Sequence, residues 1–279
     1  LHYKEHYLNK CTYAQPHIKI YSGNCELENM IKTTKKIAIF IPAYNHERKI
    51  AAVLDRIPKD ILDIITEIIV IDDASNDKTY QQTVRYKNEN GMTKLTALRN
   101  EKNQGYGGNQ KVGYNYCIKK QYDIVVMLHG DGQYAPEVLP TLLQPLLEDR
   151  ADMVFGSRMT GDPLKGGMPV YKFLGNKFLT GAENLILGMT LSEWHSGYRL
   201  YACPALMKVP FNQCANDFHF DTEIIILFKD AGLRIAESPI PTYYGDEISY
   251  VNVLPYGWNC LKAALLYRFK KGIFKREAS

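Results

Sequence analysis

The residues best suited to chemistry fall in short polar stretches, three of which follow directly on apolar runs. In Asp72-Asp73-Ala74-Ser75, two adjacent carboxylates can accept hydrogen bonds from the N–H groups of a base or the hydroxyls of a ribose. Asp and Ser also make ordinary turns and helix caps, so the pattern has a purely structural alternative. In His129-Gly130-Asp131-Gly132-Gln133, the Asp131 carboxylate can hold Mg²⁺ or Mn²⁺. Such an ion bridges a diphosphate and neutralises charge as the leaving group departs. A Gly-Asp-Gly turn is the plain alternative. The third stretch is Pro42-Ala43-Tyr44-Asn45, with Glu47 two positions on.

Three further segments are less specific taken singly. Asn103-Gln104-Gly105-Tyr106-Gly107-Gly108-Asn109 puts three glycines at a predicted helix start, where free N–H groups can approach an anion. Its spacing is neither GxxxxGK[ST] nor GxGxxG, so it supports neither an NTPase nor a dinucleotide enzyme. Ser196-Gly197-Tyr198-Arg199-Leu200-Tyr201 offers a guanidinium fork suited to phosphate oxygens, or else a strand with an exposed Arg. Asp221 and Glu223 stand ahead of an apolar helix. Acids favour a first turn for the helix dipole alone, and the functional alternative is a general base that deprotonates an acceptor hydroxyl.

The elements that must position these residues alternate along the chain. Short β-branched runs at 37–41, 67–71, 94–98, 123–128 and 152–155 are predicted strands. Helices are predicted between them near 47–57, 76–90, 108–120 and 136–148, with Asn76 and Ala135-Pro136 as starts. This alternation implies a mainly parallel sheet covered by helices on both faces. Ligands gather at the carboxyl ends of such strands, where the polar stretches after the first, second and fourth runs fall. Residues 1–35 read as an N-terminal extension, and 157–195 as an acceptor-side loop and helix region without a strong strand.

Composition narrows the class. The chain has 279 residues, 46% hydrophobic and 23% charged, which is ordinary for a globular protein and excludes disorder as the leading account. A net charge of +4 gives no case for nucleic-acid binding. The basic excess sits at the end, where Lys262, Arg268, Lys270, Lys271, Lys275 and Arg276 face one acid, Glu277. Trp258, Leu261, Leu265 and Phe269 recur there at helical spacing, so 256–279 reads as a basic amphipathic tail able to meet an anionic membrane surface, or as a helix packed on the domain. The six cysteines form no CxxC pair, which argues against a zinc knuckle or redox motif and suits reduced thiols in the cytoplasm. No apolar run approaches the roughly 18 residues that span a bilayer, so the expected location is cytoplasmic, at most peripheral at the inner face of a membrane.

Taken in order, these motifs resemble family 2 glycosyltransferases, and among them the dolichyl-phosphate mannose and glucose synthases and their bacterial polyprenyl-phosphate relatives. The likeness covers about residues 36–250, and implies an α/β fold with a single GT-A (Rossmann-like) domain over 36–255. It places Pro42, Tyr44, Asn45 and Glu47 beside the nucleotide base, with Glu47 one position later than the family pattern. It assigns Asp72 and Asp73 to the nucleotide, with Asp73 reading the base, and brings Asn103, Gly105 and Gly107 near it. The metal motif Asp-x-Asp-x-Gln corresponds to His129 to Gln133. Asp131 is then the direct ligand of Mg²⁺ or Mn²⁺, and His129 replaces the first Asp, a change that favours softer ions such as Mn²⁺. Arg199 becomes a phosphate contact. Phe220-Asp221-Thr222-Glu223 resembles the corresponding segment both of lipid-phosphate enzymes and of relatives in which the Asp is the base.

The reaction implied is inverting transfer of a sugar from a nucleotide-sugar to a lipid-phosphate or glycan acceptor, with Asp131, Asp221 and Arg199 as the catalytic set. Transfer to a sugar hydroxyl in surface-polysaccharide synthesis is the alternative. A sugar-phosphate nucleotidyltransferase should carry a Gly-rich basic loop after the first strand, where Pro42-Ala43-Tyr44-Asn45 stands instead. A catalytically silent nucleotide-sugar binding protein is compatible with His129.

Overall fold

The computed structural model describes residues 33–242 and 253–270. The chain runs through strand β1 (Ile37–Ala43), helices α1 (Ile50–Asp55) and α2 (Lys59–Ile64), β2 (Glu67–Asp72), α3 (Thr79–Glu89), β3 (Leu95–Arg99), α4 (Tyr106–Lys119) and β4 (Ile124–Met127). It continues with α5 (Leu139–Leu147), β5 (Met153–Ser157), α6 (Val170–Leu187), β6 (Arg199–Ala202), α7 (Cys203–Leu206), α8 (Phe220–Asp230), β7 (Ile235–Pro239) and α9 (Val253–Lys270). All seven strands join one sheet in the order β3-β2-β1-β4-β6-β5-β7. Every pairing is parallel except those of β6, which runs antiparallel to β4 and β5.

Strand alternation explains the two cores. Ala38 and Phe40 point to one face and pack with Tyr114 and Cys117 of α4, Ile224 to Phe228 of α8, and Ala263 and Ala264 of α9. Ile37, Ile39 and Ile41 point to the other and pack with Val53 and Leu54 of α1, Ile61 of α2, and Leu142, Leu143 and Leu146 of α5. Because both faces are covered, the strands read as continuous apolar runs.

The expected α/β architecture is present, with shifted helix starts. The first helix begins at Ile50, not 47, because Asn45 adopts φ 58° and its loop is stitched to the next one. The Asn45 side chain accepts the Asn76 N–H at 3.0 Å, and Glu47 accepts the Lys78 N–H at 3.2 Å. With Asn76 so engaged, α3 opens at Thr79, whose N–H donates to Asp77 at 2.9 Å. The region 157–195 contains α6 and, after β5, no strand. Strands β6 and β7 lie outside the five predicted ones.

Helix α9 packs on α6 and α8 through Cys260, Ala263 and Ala264, while Leu254, Trp258 and Phe269 are exposed. No described helix is long and apolar enough to cross a membrane. Of the expected N-terminal extension only 33–35 are described, and the basic residues Lys271, Lys275 and Arg276 lie outside the described residues.

Candidate active site

The carboxyl ends of β1, β2 and β4 converge on a cleft of about 830 Å³, closed on its far side by α6, the loop into β6 and the first turn of α8. From the β1 loop come Pro42, Tyr44 and His46; from β2, Asp73; from the loop before α4, Asn103, Gly105 and Tyr106; from β4, His129, Asp131 and Gln133. Arg158, Lys172, His195 and Asp221 add polar groups to the lining.

Asp73 is the organiser of the wall built by the end of β2 and the loop before α4. Its carboxylate accepts the Asn100 amide at 2.7 Å and the backbone N–H groups of Gln104 at 2.9 Å and Gly105 at 3.1 Å. Its neighbour Asp72 turns the other way. It accepts the Ser75 N–H and hydroxyl and faces Arg99 at 3.5 Å, so it builds the turn and does not line the cleft. Asn45 and Glu47 are likewise spent on the neighbouring loop, not on the cleft. The glycines serve close approach instead of anion binding. The Gly107 and Gly108 N–H groups both donate to the Asn216 carbonyl, at 2.8 and 3.3 Å. A Cβ on Gly107 would lie 2.5 Å from the Ala215 carbonyl oxygen, and Gly107 does not reach the cleft.

Arg199 also departs from its expected role. It is fully buried, donating to the carbonyls of Ser196 (2.9 Å), Asp221 (2.7 Å) and Trp194 (3.0 Å), with the Asp221 carboxylate 3.7 Å away. Burial opposes its charge, and Asp221 together with Tyr201 and Tyr106 outweighs that, holding the guanidinium above its ordinary value. Fully buried and outside the cleft lining, it supports Asp221 instead of a phosphate. Asp221 itself reaches the cleft and accepts the Tyr106 hydroxyl at 2.8 Å and the Gln110 amide at 3.3 Å. Burial, then the Asp221 charge, keep the Tyr106 hydroxyl protonated well above the usual tyrosine value. Glu223 accepts the Ala215 N–H at 2.6 Å and holds the 215–217 loop.

Asp131 accepts one backbone bond, from Gln133 at 3.0 Å. Two imidazoles lie about it. His129 points its Nε2 toward the Tyr106 hydroxyl, 3.4 Å away, and packs against Gly197 and the Tyr134 ring. His46 buries an Nδ1 with no partner, and burial lowers it below the ordinary imidazole value while Asp131 pulls the other way. One carboxylate with two imidazoles about it is a partial donor set that fits a divalent ion.

The folding pattern and this cleft agree with what the chain matches. Residues 38–209 match the family described as glycosyl transferase family 2. The chain belongs to that family. It is 31% identical over 220 residues to a UDP-N-acetylglucosamine–dolichyl-phosphate N-acetylglucosaminyltransferase of Methanococcus voltae, covering 75% of this chain and 86% of the relative. It is 27% identical over 251 residues to an undecaprenyl-phosphate mannosyltransferase of Micrococcus luteus, covering 82% and 99%. In fold it is similar to glucosyl-3-phosphoglycerate synthase of Mycobacterium tuberculosis, solved with Mn²⁺, UDP and phosphoglyceric acid. The TM-score is 0.62 at 20% identity, covering 87% of this chain and 81% of that one. This family 2 glycosyltransferase thus has a GT-A type α/β fold.

Several cleft residues of the transferase were not singled out in the sequence. Arg158 follows β5 and donates to Glu193 through its backbone N–H (2.7 Å) and Nε (2.9 Å), and to the His195 carbonyl at 3.1 Å. Although burial works against the Glu193 charge, Arg158 holds it below the usual carboxylate value. Tyr106 stacks on Phe218 with centroids 4.9 Å apart. Each comes from a different loop, and only Arg158, immediately after an apolar strand, sits where the rule used for the other motifs would have found it.

Proposed function

We propose that the transferase moves a sugar, with inversion, from a nucleoside-diphosphate sugar to a polyprenyl phosphate at a membrane surface. The carrying observation is the acceptor-side wall. Tyr171, Lys172, Gly175 and Leu179 of α6 line the cleft, and beside them Val170, Leu174 and Phe178 are 62%, 59% and 76% exposed at helical spacing. A cation at the mouth next to an unpartnered apolar stripe suits an acceptor with an anionic head and a long apolar tail. Leu254 and Trp258 extend that apolar surface on α9, which packs on α6. The two relatives above are named for dolichyl-phosphate and undecaprenyl-phosphate acceptors.

Asp73 orders the loop that meets the base, while Pro42 and Tyr44 line the same wall. Asp131, with the His46 and His129 imidazoles about it, would hold Mg²⁺ or Mn²⁺, which supplies neutralisation of the departing diphosphate. Arg158 and Lys172 bring positive charge to the anionic groups in the cleft. A lipid phosphate oxygen is already an anion, so no base is needed, which suits an Asp221 engaged by Tyr106, Gln110 and Arg199. Asp221 nevertheless reaches the cleft, and a hydroxyl acceptor is the second reading.

The test is transfer to polyprenyl phosphate in liposomes against a short soluble prenyl phosphate, for wild type and Leu174→Ser/Phe178→Ser. Losing two apolar contacts of about 1.5 kcal/mol each should slow the liposome reaction by on the order of 10²-fold and the soluble one by less than about threefold. Equal losses in both, or transfer only to sugar hydroxyls, would overturn the proposal.

A further inference from the structure

Behind the cleft wall, three segments distant in sequence bring together a carboxylate, an imidazole and a thiol. Glu183 lies on α6, His195 in the loop into β6 and Cys260 on α9, and one ligand atom from each falls within 4.8 Å of the others. Glu183 and Cys260 are fully buried, and the His195 side chain is 8% exposed.

The polar atoms at the centre are not satisfied by one another. Glu183 Oε2 and His195 Nε2 are 3.1 Å apart, yet they do not align as a hydrogen bond, and each is buried without a hydrogen-bond partner. Two unsatisfied buried groups facing each other carry a cost that a shared cation removes. Their separation suits one: donors bound at about 2.0–2.1 Å on a tetrahedral ion lie about 3.3 Å apart.

The surrounding groups hold the three side chains in ligand orientation. His195 Nδ1 is 2.9 Å from the Tyr256 hydroxyl, which leaves Nε2 as the free ring nitrogen facing Glu183. The Thr222 hydroxyl donates to Glu183 Oε1 at 3.4 Å, leaving Oε2 toward the centre, and the Tyr256 and Thr222 hydroxyls reach the Cys260 thiol. Such outer partners fix the tautomer and direction of metal-binding side chains. Charge also balances. Among the described residues Glu183 has no ion-pair partner but His195, and a carboxylate, a thiolate and a neutral imidazole offset a dication.

We infer that Glu183, His195 and Cys260 form a binding site for a zinc-type divalent cation that fastens α9 to α6 and to the loop walling the cleft. An N, O, S donor set favours zinc over magnesium. Three protein donors leave a fourth position for water. Thiolate ligation releases the Cys260 proton, so metal binding weakens as pH falls. The absence of a CxxC pair does not bear on this site, because its donors come from three separate elements.

The test uses the full chain and zinc alone. Wild type and Asp131→Ala, produced with zinc and dialysed, are assayed by mass spectrometry of the metal. Cobalt is then titrated into metal-free protein while its visible spectrum is followed. The expected result is about one zinc per chain in both, a tetrahedral thiolate-cobalt spectrum, and zinc affinity lowered by on the order of 10²-fold or more in Cys260→Ser and His195→Gln. Wild-type protein that holds no stoichiometric zinc and gives no such spectrum overturns the inference whether or not the variants fold. So does affinity unchanged in both variants. Loss of zinc in Asp131→Ala would move the ion to the cleft and sink the site proposed here.

Discussion

Replacing Asp221 by Asn removes a charge from a place where another charge depends on it. Arg199 is fully buried and keeps three carbonyl partners, but the Asp221 carboxylate at 3.7 Å is its counter-ion. Breaking a buried pair from one side costs about 3–5 kcal/mol, and the retained carbonyl bonds place this case near 3. At about 2–4 °C per kcal/mol for a chain of this size, the melting temperature should fall by about 6–12 °C. The assay pairs thermal melts with kcat on a soluble prenyl phosphate, measured well below the new melting point. With an anionic nucleophile, kcat should stay within about tenfold of wild type. A melting temperature unchanged within a degree would refute the ion-pair argument. A loss of about 10²-fold or more in folded protein would make Asp221 a base and the hydroxyl acceptor the better reading. Adding Arg199→Met should cost less than the sum of the two single changes, because they share one interaction.

Three other outcomes are expected. Asp131→Ala should abolish transfer with a melting temperature within about 2 °C of wild type, since its carboxylate holds one local backbone bond; calorimetry beside a turnover assay decides this. Asp73→Ala should raise the donor KM more than it lowers kcat, because it frees the Gln104 and Gly105 N–H groups that shape the nucleotide wall; normal donor affinity with slow chemistry would contradict it. Burial pushes Glu237 up to about 7 although Ser192 donors pull it down, so the folded chain keeps a proton that the unfolded chain releases from about pH 4.5. Its contribution is therefore full below that pH and declines toward pH 7, by at most about 3 kcal/mol, and Glu237→Gln should flatten the melting profile between pH 5 and 7.5.

Strands β1, β2, β4 and β5 were legible because they are nearly continuous apolar runs, and the edge strand β3 because its short Leu-Thr-Ala-Leu run follows a helix-length segment. Strand β7 was not, because buried Glu237 and Ser238 interrupt such a run, and β6 was read only as one alternative, with Arg199 exposed where it is in fact buried. Arg199 is tolerated inside only through a carboxylate 22 positions away, which no local pattern contains. The cleft was legible at strand ends: Asp73, Asn103, Gly105, His129, Asp131 and Gln133 meet there. What the spacing could not decide is direction. Asp72 and Asp73 are adjacent and alike, yet one feeds the turn and the other the cleft. Isolated contributors such as His46, Lys172 and His195 acquire meaning only once separate loops meet.

The reversed strand β6 shapes what this enzyme can become. Since β5 ends and β6 begins at the same sheet edge, residues 158–198 leave the sheet at the cleft and return to it there. The excursion, α6 included, is a cassette plugged into two neighbouring sockets. Its length and surface can drift without altering strand order or register, while the nucleotide half stays untouched. On the acceptor reading proposed above, acceptor range is accordingly open to exchange of one continuous segment, provided that the incoming piece offers carbonyls to the buried Arg199 as Trp194 and Ser196 do.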